Sequence, residues 1–391
     1  MKRKISLFLA GICLACSQNI RSTGVLTQIE QNNTALSVLR KQTEAEKAGN
    51  RTGLSPENPT VEYHYLWGSR PEAGNRTDVA VNQNFDFPTA YYYRKKNAAV
   101  QDRRSDLRYR IERKDLLLEA KRLCIELTYQ NARHEALRSK ALRAESTAEA
   151  CRRKLDAGEI NRLDYNRALL NAVSARKELA SAAAEKASLS AELARLNGGM
   201  PVAFTDTTFE PVLLSADFEL LFDELKAKNL TLAYLKEETE QNRWQLNLRR
   251  SLNLPKISAG YMSEKTPAEH FRGVTVGVSL PLWENRRTVR QSKAQLQAGR
   301  LKEEDARARY YNEAKALHQK AATLDQLLRE YRAQLQGADN TRLLQQALEV
   351  GEVSLTEYLL DAGLYFDAAA EMLDIERELH LTLAELMQWD L

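Results

Sequence analysis

Gly158-Glu159-Ile160-Asn161-Arg162-Leu163-Asp164-Tyr165 returns as Gly351-Glu352-Val353-Ser354-Leu355-Thr356-Glu357-Tyr358, so that residue 158 answers residue 351 at an offset of 193. The offset holds without a gap for Ala191-Glu192-Leu193 against Ala384-Glu385-Leu386, and it relates Phe87-Pro88 to Leu280-Pro281. Further upstream, Asn33, Leu36, Leu39, Thr43, Glu44 and Pro59 answer Asn229, Leu232, Leu235, Thr239, Glu240 and Pro255 at an offset of 196. The second copy has therefore lost three residues between its two prolines. Solenoid units run to about 20–50 residues. A period this long marks a duplicated half-protein.

The first copy covers residues 18–197 and the second 216–391, with an extended connector over 198–215 expected to lie beside the helices. Each copy has one grammar: helix, strand, turn, strand, long helix, tip, return helix. Leu26, Ile29, Ala35, Leu36 and Leu39 predict the opening helix over 23–48. In the hairpin over 60–87, Val61, Tyr63, Tyr65 and Trp67 alternate with polar neighbours, as do Val79, Val81, Phe85 and Phe87. In the hairpin over 256–280, Ile257, Ala259 and Tyr261 do the same, followed by Val274, Val276, Val278 and Leu280. A period of two with one apolar face defines a strand. A soluble hairpin resting on a core gives the same alternation, but strands of about nine or more residues suit a tilted membrane crossing, which needs roughly 9–11. Trp67 on the loop side, and Phe85, Phe87, Tyr91, Tyr92, Tyr93 and Trp283 on the helix side, form candidate interfacial girdles.

Pro88 and Pro281, with Trp283, mark the junctions from strand to long helix. Residues 89–156 contain neither glycine nor proline, predicting a helix of roughly 100 Å over 88–156. Its counterpart is predicted over 281–350, interrupted only by Gly299 and Gly337. Return helices are predicted over 160–196 and 354–389, with Ala180 to Ala184 and Ala368 to Ala370 as close-packing stretches. Asn197-Gly198-Gly199 ends the first return helix.

Sixteen glycines and nine prolines in 391 residues are too few to punctuate several compact domains. A net charge of +4, with both signs dispersed, provides no nucleic-acid footprint. Met1-Lys2-Arg3-Lys4 and the apolar run after it predict a secretory signal over 1–17, cleaved after Ala15 or Ser17. The first cleavage leaves Cys16 as a lipid-modified terminus. Cys124 and Cys151 share one helix, roughly 40 Å apart and beyond disulfide reach, and are expected to be buried small hydrophobes. His64, His134, His270, His318 and His380 show no metal-ligand spacing, and there is no Gly-rich phosphate loop or Ser-His-Asp context. The reading is non-enzymatic, with no cofactor and no metal.

No other apolar run reaches the roughly 18–20 residues of a membrane helix, so a membrane would be crossed with strands. An open sheet leaves edge backbone groups unpaired in hydrocarbon. Two chains give eight strands with a filled interior, whereas three give twelve with room for a lumen. The expected fold is mainly α with a membrane β-barrel: four strands per chain in a trimeric twelve-stranded barrel, continued by a long antiparallel α-helical barrel.

The paired turns at Gly158 and Gly351, Leu280-Pro281-Leu282-Trp283, the run from Leu254-Pro255-Lys256 to Tyr261, and Asn32-Asn33 together resemble the TolC-type outer-membrane efflux protein family. The resemblance covers essentially the whole mature chain. It implies a homotrimer in outer-membrane lipid of a Gram-negative bacterium, with helices extending into the periplasm. It further implies docking onto a periplasmic adaptor (membrane fusion protein) and an inner-membrane pump, with the protein as the passive exit duct of a tripartite efflux or secretion system. The competing reading is a periplasmic coiled-coil adaptor or structural protein whose strands are soluble hairpins.

The same resemblance matches Asp164 and Glu357, each six residues after its tip glycine, to gate carboxylates. Three chains would set rings of them around the axis, attracting cations. The family arginine two residues after the second glycine is Val353 here, and its second acid falls on Leu360 with Asp361 adjacent. Arg162, Arg152 and Arg153 are the candidate replacements. Glu159 and Glu352 are expected as first-turn acids favoured by the helix dipole.

Overall fold

The computed structural model describes residues 22–70, 74–211, 214–281, 283, 286–338 and 340–391. The predicted signal over 1–17 and Cys16 lie outside the described residues. The chain is mainly helical with one four-stranded antiparallel sheet, and it divides into two compact units.

One unit holds the sheet, drawing on Thr34–Leu116, Ser215–Ala316 and Met387–Leu391. Its strands are β1 (Thr60–Leu66), β2 (Arg76–Phe85), β3 (Lys256–Lys265) and β4 (His270–Ser279), in that spatial order. β1 has seven residues, fewer than its composition suggests, and is bounded by Pro59 and the bend at Ser69-Arg70. Register aligns the apolar positions across all four strands. Val61, Val81, Tyr261 and Val274 form one row, and Phe85, Ile257 and Val278 another. Val274, Val276 and Val278 are 83%, 77% and 64% exposed, so among the described residues nothing covers this part of the face. The opposite face carries Glu62, Asp78, Asn82, Asn84, Ser258, Glu264 and Thr275.

Phe87 falls outside β2. The strand stops at Phe85, where the Asp86 amide donates to the Tyr91 hydroxyl at 3.0 Å and the Arg94 guanidinium pairs with the Asp86 carboxylate. Pro88 then opens α3 (Pro88–Asp156), an unbroken helix of 69 residues, where a missing N–H costs nothing. Tyr92 and Tyr93 pack around Trp244 of α6 (Leu230–Ser251), whereas Trp67 and Trp283 are exposed.

Two predicted continuous helices are each interrupted. The helix expected over 23–48 is α1 (Ser22–Asn32) and α2 (Thr34–Asn50), separated at Asn33. Asn33 Nδ2 donates to the Leu196 carbonyl at 2.7 Å in a buried site, while its backbone amide completes α1 on the Ile29 carbonyl at 2.9 Å. The matching Asn229 separates α5 (Phe218–Lys228) from α6, its Oδ1 accepting from the Leu232 amide at 2.9 Å. Of the helix expected over 281–350, the described residues form α7 (Arg286–Ala338) and α8 (Thr341–Val350), with Asn340 outside both. Gly337 weakens the helix there by about 1 kcal/mol relative to alanine, and the Asn340 carbonyl starts α8 by accepting from Leu344.

The second unit draws on described residues up to Asn33, on Leu117–Leu214 and on Leu317–Leu386. It holds α4 (Arg162–Leu196) and α9 (Leu355–Leu386), beginning two and one residues later than predicted. The close-packing alanines are Ala141, Ala144 and Ala148 of α3 against Ala168, Ala172 and Ala175 of α4, with Cys151 completing the cluster. The expected stretches lie elsewhere: only Ala182 of Ala180 to Ala184 is buried, and none of Ala368 to Ala370. Tandem alanines distribute around a helix, whereas three- and four-residue spacing keeps them on one face. Beyond α4, Gly198 adopts φ 69°, and a Cβ there would stand 2.6 Å from the Asn32 carbonyl oxygen. The connector buries Phe204, accepts a 3.0 Å hydrogen bond from Asn131 at the Asp206 carbonyl and stacks Phe209 on His380.

Candidate functional site: the paired tips

Both tips are glycine-closed helix ends. Gly158 and Gly351 adopt φ 76° and 81°, a left-handed conformation costly for other residues. The Glu159 amide returns to the Lys154 carbonyl and the Glu352 amide to the Ala347 carbonyl, both at 2.9 Å. Glu159 and Glu352 thus close the outgoing helices and are not first-turn acids. That position belongs to Asp164 in α4 and Glu357 in α9.

The two carboxylates are engaged differently. Asn161 caps α4, its Oδ1 accepting from the Asp164 amide at 2.9 Å. Asp164 Oδ1 is 3.2 Å from Arg167 Nη1, which also donates to Thr356 Oγ1 at 3.1 Å. Arg167 therefore links the acid of one tip to the first turn of the other. Glu357 closes a capping box: its Oε2 accepts from the Ser354 amide at 2.9 Å and the Ser354 hydroxyl at 2.7 Å. The Ser354 hydroxyl, then its backbone amide, hold the Glu357 carboxyl below its ordinary range.

Arg162, Arg152, Arg153 and Asp361 are exposed and make no ion pair among the described residues. The cation that pairs with Asp164 among the described residues is Arg167. Its signal was the three-residue spacing from Asp164, which brings side chains together on one helix face.

Behind the turns lies a cavity of about 350 Å³ lined by Cys151, Lys154, Ile160, Asp164, Glu349 and Val353. Burial raises the Cys151 thiol above its ordinary range and pushes Cys124 up to about 12. Both cysteines are free and buried, and both stay protonated at neutral pH. Among the described residues no cluster of His, Cys, Asp or Glu forms a metal site, and no helix is long and apolar enough to cross a membrane.

No protein-family model matches the chain and no curated protein matches its sequence. Solved structures do. CusC, whose structures concern folding and transmembrane channel formation, superposes with a TM-score of 0.79 at 13% identity, covering 94% of this chain and 91% of that one. The Vibrio cholerae outer membrane protein VceC gives 0.77 at 12% identity, covering 94% and 95%. The Campylobacter jejuni CmeC outer membrane channel gives 0.75 at 14% identity, covering 94% and 85%. At such identities the likeness is one of fold: the chain has the fold of these outer-membrane channel proteins, as its resemblance to the TolC type implied.

Proposed function

We propose that this protein is the outer-membrane exit duct of a tripartite efflux system, conducting passively what an inner-membrane pump and periplasmic adaptor deliver. The observation that carries this reading is the sheet. Its register sets Val61, Val81, Tyr261 and Val274 in one exposed row, with β1 and β4 as edges unpaired among the described residues. An exposed apolar face suits lipid, and lipid requires the edges to be closed. Three copies close them as a twelve-stranded barrel, polar face inward, with the duplicated helices forming the periplasmic duct. The fold of CusC, VceC and CmeC supports this arrangement.

On this reading the duplicated tips at Gly158 and Gly351 form the periplasmic mouth. Asp164 and Arg167 are its lock, while Glu357 shapes the second turn through Ser354. Arg162 and Asp361, exposed beside them, are available to neighbouring chains. The domain boundaries follow the duplication, with a signal removed either after Ala15, which leaves Cys16 as the candidate lipid attachment, or after Ser17, which removes Cys16 with it.

Membrane fractionation tests the proposal. Heat-resistant trimers in the outer membrane are expected; a soluble periplasmic monomer would favour the adaptor reading.

A further inference from the structure

Register divides charge between the two faces of the sheet. On the apolar face, the row beyond Val61, Val81, Tyr261 and Val274 is Tyr63, Val79, Ser263 and Arg272, and the next is Tyr65, Thr77, Lys265 and His270. Every ionisable side chain on this face of the four strands, tyrosines aside, is basic: Lys265, His270 and Arg272. The strand carboxylates Glu62, Asp78 and Glu264 occupy the other face, where Arg76 pairs with Asp78 at 2.8 Å and Glu264 at 3.0 Å.

The three basic groups lie together. His270 Nε2 is 2.8 Å from Ser263 Oγ, and Arg272 reaches the His270 ring nitrogens at 3.3 Å and 3.4 Å. Lys265 pairs with His270 across β3 and β4. All three are exposed, and neither Lys265 nor Arg272 has a carboxylate within ion-pair distance among the described residues. Tyr63 and Tyr65 stand in the same rows, with Trp67 edge-on to Tyr65 at 5.5 Å.

We infer that Lys265, His270 and Arg272 form a docking site for phosphate headgroups of anionic outer-leaflet lipid, with acyl chains along Val274, Val276 and Val278. The inference rests on the barrel reading and adds a ligand to its lipid-facing rim. Charge complementarity identifies the partner. A cationic cluster at the end of an apolar band meets headgroups where the band meets chains, and long basic side chains extend toward that level. A protein partner on this face would have to displace lipid from the aliphatic rows below.

The experiment compares wild type with a Lys265→Gln/Arg272→Gln double variant, both reconstituted in phosphatidylcholine vesicles containing a minor fraction of lipid A. Two readouts are taken: lipid A retained per chain after re-extraction, and ion conductance. The site predicts retention by wild type, a loss of about 25-fold in the double variant at roughly fivefold per cation, and unchanged conductance in both. Inorganic phosphate should not compete. Equal retention with both proteins conducting overturns the lipid site and leaves the duct intact. Competition by inorganic phosphate overturns lipid as the ligand. A wild type that neither inserts nor conducts overturns the duct reading and the site with it.

Discussion

Arg167 Nη1 stands 3.2 Å from Asp164 Oδ1, one turn away on α4, and the same nitrogen donates to Thr356 of α9 at 3.1 Å. Arg167 is about half exposed and Asp164 about one quarter. Exposed pairs of this kind contribute about 0–1 kcal/mol to stability, so their consequence should appear in gating.

Replacing Asp164 or Arg167 with alanine is expected to raise single-channel conductance while leaving the unfolding midpoint nearly unchanged. Unaltered conductance and ion selectivity in both variants would remove the pair from the gate.

Glu357 makes a pH prediction. Its folded pKa is depressed by hydrogen bonds from Ser354, so its contribution is present above the unfolded carboxylate value and is lost as pH falls through the folded one. Wild type should lose tip protection in amide exchange on acidification. Ser354→Ala should start with less protection and lose less of it.

His380 titrates in a different window. Burial, then Arg332 and Lys121, lower its pKa from 6.5 to about 4 where it stacks on Phe209. The unfolded state binds the proton first, so stability is full above about 6.5 and falls as pH drops toward about 4, by on the order of 2 kcal/mol once partial exposure is allowed for. A His380→Phe variant should flatten that part of the stability profile. A profile matching wild type would show that His380 is not the titrating group.

Gly198 and Gly199 allow a controlled comparison. Both have positive φ, costing alanine about 1–2 kcal/mol, but only a Cβ at Gly198 strikes the Asn32 carbonyl; Gly199 faces open space. Thermal unfolding should place Gly198→Ala clearly below Gly199→Ala. Equal midpoints would contradict the close approach of α1 and the end of α4.

On the sheet, Val276→Lys enters the apolar face and Thr275→Lys the polar one. A lysine facing lipid near the midplane costs about 2–4 kcal/mol. Heat-resistant assembly should fail in the first and survive in the second; the reverse would exchange lipid and lumen faces.

Strand alternation and the paired glycine turns were legible because each is a local pattern with a fixed period or a backbone requirement. The breaks at Asn33 and Asn229 were not, because the apolar spacing runs on past each asparagine even though asparagine favours a helix cap over a helix interior. At Asn229 the side chain caps α6 by accepting from the Leu232 amide, and at Asn33 it reaches the distant Leu196 carbonyl, a contact that sequence spacing does not show. Ala141, Ala144 and Ala148 were overlooked for similar reasons: identical small residues pack only where a facing helix arrives. At the tips, motif matching located Asp164 and Glu357 but assigned them one role. Ser354, three residues before Glu357, carried the capping signal, and Arg167 carried the ion-pair signal, each in positions the motif ignores.

Planar-bilayer conductance of the detergent-extracted protein, with its mass determined alongside, bears most directly on the duct. Ion-conducting trimers are expected, of low conductance while the Asp164–Arg167 lock holds. A water-soluble monomer that never conducts would mean that the exposed valine rows of β4 meet something other than lipid.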